Sequence, residues 1–201
     1  DGSIQAEWKA VEGSLYFQSP KLYKENGFLK REDAEKLQAS LEPLPREVEV
    51  LKAEKKKELK NAPLLYNLAE LQNECSKMFK ISPDQTLSIV QELYEKKLVT
   101  YPRTDARVLS TAIATEIDKN LRGLCRMPQV SNFAAEILNN GLYKGIVKSK
   151  YTDDSKISDH YAIIPTGQGL NAYGALTPTA QKVYEVIVRR FLSIFYPPAI
   201  Y

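Results

Sequence analysis

Ser82-Pro83-Asp84-Gln85-Thr86-Leu87-Ser88-Ile89-Val90-Gln91-Glu92-Leu93-Tyr94-Glu95-Lys96-Lys97-Leu98-Val99-Thr100-Tyr101-Pro102-Arg103-Thr104-Asp105 joins a strong helix signal to an extended segment. Serine caps the first turn, proline follows where its missing N–H costs nothing, and glutamine three residues on can close a capping box. Leu87, Val90, Leu93 and Tyr94 recur at helical spacing and predict the buried stripe. Beyond Leu98 the chain should be extended, because Pro102 pushes its predecessor toward the β region. Residues two apart then point the same way, so Tyr101 and Arg103 share a face.

Working outward, Asn67 followed by Glu70 reads as a capping box, with Leu68, Leu71, Cys75, Met78 and Phe79 as one face of a helix. Ile113 and Ile117 mark a helix after Ser110. Phe133, Ile137 and Leu138 mark another before Asn139-Asn140-Gly141. Thr177-Pro178 opens the last helix, with Val183, Ile187, Phe191 and Ile194 inward. Between them, Gly141 to Gly174 is polar and glycine-rich and reads as short extended pieces.

The first third differs. Ile4, Ala6, Trp8 and Ala10 alternate with polar residues, predicting a half-buried strand that pairs with Leu15 to Phe17 after the Glu12-Gly13-Ser14 turn. Ala34, Leu37 and Leu41 predict a short surface helix from Arg31, ending before Pro43. Val48 and Val50 alternate briefly before the charge run Lys52 to Lys60, read as a solvated ribbon. The resulting class is α+β: a β-rich arm over 1–61, a mainly helical domain over 62–196, and 197–201 leaving it.

The 201 residues can bury a substantial core, and a net charge of +3 permits a nucleic-acid partner without arguing for one. Two distant cysteines, Cys75 and Cys125, make a disulfide framework or a cysteine-based zinc site a poor reading and fit a reducing, cytoplasmic setting. No apolar run has the length of a membrane span, and the N-terminus lacks a signal-peptide pattern. Both ends read as cut, so an excised piece of a larger protein is expected.

A phenol beside a guanidinium suits attack on a phosphodiester: the arginine can hold non-bridging oxygens as charge builds up. Tyrosine and arginine two apart are also ordinary strand residues, and on this pattern alone both readings stand. His160, the one histidine in the chain, reads by itself as a surface or satisfied residue.

Tyr101-Pro102-Arg103-Thr104-Asp105 resembles the active-site signature of type IA DNA topoisomerases, and Asp159-His160-Tyr161-Ala162-Ile163-Ile164-Pro165-Thr166 resembles their second signature. Pro63 to Leu68, Leu71-Gln72, and Leu93 to Thr100 are similar to the family's segments ahead of the tyrosine. Ala180 to Phe195 is similar to its final helix. The Ile-Ile-Pro-Thr-Gly form leans toward topoisomerase III. Tyr161 departs from the Glu or His often found there, which puts local hydrogen bonding in question.

The resemblance implies a catalytic domain with a winged-helix or CAP-like element and an arm from the family's arch. It implies Tyr101 as nucleophile, giving a 5′-phosphotyrosine and a 3′-hydroxyl on single-stranded DNA, with strand passage and religation without ATP. Arg103 and His160 would complete the catalytic set, and Thr100, Asp105, Arg107 and Thr166 are candidates for DNA contact. Mg²⁺ would be bound by a Toprim domain that no segment here resembles, and Asp153-Asp154 reads as an exposed loop rather than a metal site. The chain would then be inactive alone, a monomer, bacterial, and dependent on the remaining domains of its parent.

Rival readings are a noncatalytic DNA-binding module and a structural fragment. Relaxases need a histidine cluster, which one histidine excludes. Tyrosine recombinases need several basic residues and a tyrosine late in the chain.

Overall fold

The computed structural model describes residues 5–42 and 57–201. The chain divides into two compact units, Asp1–Lys55 and Lys56–Tyr201. Helices dominate, with two small sheets, giving an α+β protein.

In the first unit, β1 (Leu22–Lys24) and β2 (Gly27–Phe28) form an antiparallel hairpin, followed by α1 (Arg31–Leu41). The expected strand through Ala6, Trp8 and Ala10 does not form, and Leu15 to Phe17 lie in turns; Ile4 is outside the described residues. Aromatic packing overrides the period-two pattern. Trp8 stacks on Phe28 with centroids 5.2 Å apart, and Tyr16 sits edge-on to both. Such pairs contribute roughly 0.5–1.5 kcal/mol beyond area burial. The segment is anchored by a bond from Ala10 N–H to the Glu25 carbonyl. The α1 helix starts at Arg31 as read, whereas Val48, Val50 and most of the charge run lie outside the described residues.

The second unit begins with β3 (Leu59–Lys60), which pairs antiparallel with β4 (Ala199–Ile200) at the other end of the unit. Leu59 and Lys60 therefore belong with the helices rather than with the first unit. Helix α2 (Leu68–Phe79) is capped by the Asn67 side chain. The reciprocal half of the expected box is replaced: Glu70 lies 3.5 Å from Arg107 instead. Leu71 and Cys75 are buried, but Met78 faces solvent, one position beyond the stripe that meets the core. Helix α3 (Pro83–Glu95) carries the complete Ser82–Gln85 capping box, and buries Thr86, Val90 and Leu93.

Ser110 caps α4 (Thr111–Thr115), which breaks at Glu116 before α5 (Ile117–Leu124); α6 (Ser131–Asn139) follows. Residues 141–174 are extended only in part: an extended piece lies at 162–166, and three 3-10 helices, Leu142–Lys148, Asp154–Lys156 and Leu170–Ala175, take up much of the rest. Asp154 reaches to the start of α4, where it accepts from the Thr111 backbone and hydroxyl. Helix α7 (Pro178–Ser193) is capped by Thr177 and packs on α3 and α2. Val183, Ile187 and Phe191 are buried there, each contributing on the order of 1.5–3 kcal/mol.

Two long extended segments run through this helical shell. Residues 98–109 and 162–166 bond to each other through Thr100 N–H to Ile164, Thr166 N–H to Leu98 and Ala162 N–H to Val108. Ile163 N–H reaches back to Tyr66 at 2.8 Å. Both family-like motifs thus lie side by side on one platform.

Candidate active site

From Tyr101 to Val108 burial alternates. Pro102, Thr104, Ala106 and Val108 are buried; Arg103 and Asp105 are exposed, and Tyr101 and Arg107 half-buried. This is the period two expected of an extended segment lying on a core. It puts Tyr101 and Arg103 on the same outward side.

The ring of Tyr101 lies between two others. His160 is 4.3 Å away by centroid, tilted at 41°, and Tyr94 at the end of α3 is edge-on at 5.4 Å. Tyr94, read as part of the buried stripe, is 39% exposed because its ring turns to Tyr101 instead. These three rings line a pocket of about 340 Å³ together with Lys97, Tyr161, Thr166 and Gln168.

Thr100 and Thr166, expected at the DNA surface, also line the pocket but spend their hydroxyls on the chain itself. Thr100 Oγ1 donates to the Ala162 carbonyl and accepts from Ile164 N–H, both at 3.0 Å. Thr166 Oγ1 donates to the Lys97 carbonyl at 2.5 Å and accepts from Gln168 N–H. The buried Thr104 donates to the His160 carbonyl at 2.7 Å. Three threonines therefore rivet the tyrosine segment to the histidine segment.

Arg103 does not line the pocket, and no hydrogen bond or ring contact joins it to Tyr101 or His160 among the described residues. Asp105, expected at the DNA surface, is exposed; its carbonyl accepts from the Asn67 amide at 3.0 Å, and the Thr104 hydroxyl beside it accepts from Ala106 N–H. Arg107 donates from Nε to the Leu65 carbonyl and pairs with Glu70, so its guanidinium is committed to holding α2. Arg190 on α7 secures the other side of that segment. It bonds the Leu64 carbonyl and the Tyr66 hydroxyl and covers the Tyr66 ring at 4.1 Å. Burial pushes the Tyr66 phenol up to about 12 against the opposing pull of Arg190.

Glycines allow close backbone packing next to the pocket residues Thr166 and Gln168. Gly167 and Gly169 have φ of +76° and +69°, and a Cβ at Gly169 would be driven into the Lys96 carbonyl. Gly123 of α5 approaches Gly167 so closely that no side chain fits between. Asn120 and Arg126 then hold the Pro165 and Gly167 carbonyls.

Among the described residues, no group of three or more His, Cys, Asp or Glu could hold a metal ion. Asp153 binds Ser155 and Lys156 within its own turn, and Asp154 binds Thr111 at the start of α4.

Tyr94, Lys97 and Gln168 carried no functional signal in the sequence reading. One clue was present: Lys97 follows a helix end, where glycine is the usual residue.

A family model described as DNA topoisomerase matches residues 3–201. The chain belongs to the DNA topoisomerase family, and within it to the type IA group. Among its relatives, DNA topoisomerase 3 of Bacillus licheniformis is 44% identical over 138 residues, spanning 68% of this chain and 18% of that protein. DNA topoisomerase 3 of Bacillus subtilis is 37% identical over 191 residues, spanning 94% and 25%. Full-length topoisomerase I from Thermotoga maritima shares the fold, with a TM-score of 0.53 over 88% of this chain and 27% of that one, at 23% identity. The chain thus spans about a fifth to a quarter of the length of these curated relatives. No helix among the described residues is long and apolar enough to cross a membrane.

Proposed function

We propose that this chain is the tyrosine-bearing part of a topoisomerase III-like enzyme, in which Tyr101 cleaves one strand of single-stranded DNA. The Tyr101 oxygen bonds to phosphorus as the bond to the 3′ oxygen breaks. The phenolic proton leaves, the 3′ oxygen takes one up, and a 5′-phosphotyrosine remains. Because the phosphoester is exchanged rather than hydrolysed, reversal of the step religates the strand without ATP. Between the two steps another strand passes through the break.

The observation that carries this reading is the 4.3 Å packing of the His160 ring on Tyr101, from separate segments, at an open pocket. On this reading the imidazole takes up or returns the proton. Arg103, exposed on the same side, would reach a bound phosphate and stabilise its oxygens. Helices α2 and α3 ahead of the tyrosine segment are read as a CAP-like, winged-helix element. Magnesium, which the resemblance implies, finds no fitting group of ligands among the described residues and is read as held by residues outside this chain. The working enzyme is read as a cytoplasmic monomer completed by those further domains, and the chain by itself as unable to relax supercoiled DNA.

The test is to place this chain in the Bacillus subtilis relative in exchange for its matching segment and trap the protein on a single-stranded oligonucleotide. A denaturant-stable adduct labelled through the DNA 3′ end is expected, and it should vanish in Tyr101→Phe. An adduct that survives Tyr101→Phe would overturn the assignment and favour a noncatalytic DNA-binding role.

A further inference from the structure

Lys97 occupies a costly backbone position. Helix α3 ends at Glu95 with Lys96 as its cap, and Lys97 follows at φ +63°. That left-handed region suits glycine, which has no Cβ to crowd the carbonyl. The conformation is fixed from three sides. Lys97 N–H bonds the Tyr94 carbonyl at 2.8 Å, its own carbonyl accepts from Thr166, and Gly169 closes against Lys96. A residue held in an unfavourable region by its surroundings points to function.

The second observation is where the side chain lies. Lys97 is exposed and lines the same pocket as Tyr101 and His160. Its neighbour Lys96 is paired with Glu92, whereas Lys97 has no ion pair among the described residues. Gln168, across the same pocket, uses its backbone N–H on Thr166 and leaves its amide side chain exposed. Tyr94 adds a partly exposed aromatic ring. A free ammonium, a free amide and an aromatic ring around one pocket match the three parts of a nucleotide: phosphate, base edge and base face.

We propose that this pocket is a nucleotide subsite for single-stranded DNA, in which Lys97 holds a backbone phosphate next to the one Tyr101 attacks. Gln168 and Tyr94 receive the attached base. The inference rests on the reading of Tyr101 as nucleophile, but is tested by equilibrium binding rather than by covalent capture.

Lys80 supplies a matched control. It also follows a helix in the left-handed region, at φ +58°, and does not line the pocket. Lys97→Gly and Lys80→Gly remove the same charge and relieve the same backbone. Binding of a fluorescein-labelled oligothymidylate by the 201-residue chain is read by anisotropy across a salt series. Lys97→Gly should bind about fivefold more weakly, with a salt slope smaller by about 0.7. Lys80→Gly should bind as the parent does. Both variants should melt no lower than the parent, which separates lost contact from lost structure. Equal affinities for the two variants, or no binding by the parent chain at low salt, would overturn the subsite. Covalent capture through Tyr101 would be decided separately by its own adduct.

Discussion

The Thr104 hydroxyl donates a 2.7 Å hydrogen bond to the backbone carbonyl of His160. Thr104 is 7% exposed, so this bond is made where water cannot readily replace it. It ties the residue three places beyond the tyrosine to the histidine whose ring packs on that tyrosine. Thr104→Val keeps the shape and deletes the donor. It also strands Ala106 N–H, which the same hydroxyl accepts. The expected loss is about 1–3 kcal/mol, the cost of leaving buried polar groups unpaired. Denaturant melts of the two proteins measure it; a change within error would mean that water reaches the site.

Gly169 should tolerate no side chain. At φ +69°, and with the Lys96 carbonyl where a Cβ would sit, Gly169→Ala combines backbone strain with a clash against backbone. A loss of at least about 1–3 kcal/mol is expected from the left-handed region alone. Gly145, where an added Cβ meets nothing, is the control, and Gly145→Ala should melt close to the parent. Thermal melts of both variants decide the point.

Cys75 makes the protein sensitive to alkali. The thiol is buried, and burial pushes it from 9.0 up to about 11, partly opposed by a hydrogen bond with Thr86. The unfolded chain ionises first, so the stabilisation is complete below about pH 9 and is lost as pH rises toward about 11. Cys75→Ala should flatten the fall in melting temperature over that window. At pH 8 iodoacetamide should modify the half-buried Cys125 well before Cys75, read by peptide mass spectrometry. Equal labelling of both would mean that α2 opens readily.

Local chemistry made much of the helical unit readable. Ser82-Pro83-Asp84-Gln85 and Thr177-Pro178 mark helix starts through bonds made within one turn, and the structure has them at those places. The tyrosine segment was readable because Pro102 and a period of two act locally. What failed depends on distant partners. Trp8 sits in an alternating pattern, yet Phe28 and Tyr16 determine its place. Tyr94 fits a buried stripe by spacing, yet the ring of Tyr101 draws it to the surface. Residues 141–174 carry weak periodicity, and their turns are set by contacts such as Asp154 with Thr111 that no short window contains. His160 could be singled out only by likeness to a family motif, since nothing in its neighbours predicts a ring contact with Tyr101.

The pairing of Leu59–Lys60 with Ala199–Ile200 has a practical reach. Entry and exit of the helical unit lie side by side, on adjacent strands. A segment built this way behaves as a cassette: it can be lifted out at two neighbouring cuts and set into another host with little strain at the seams. A short linker from Ile200 back to Leu59 would close it into a ring, leaving new ends free to be opened in a surface turn elsewhere.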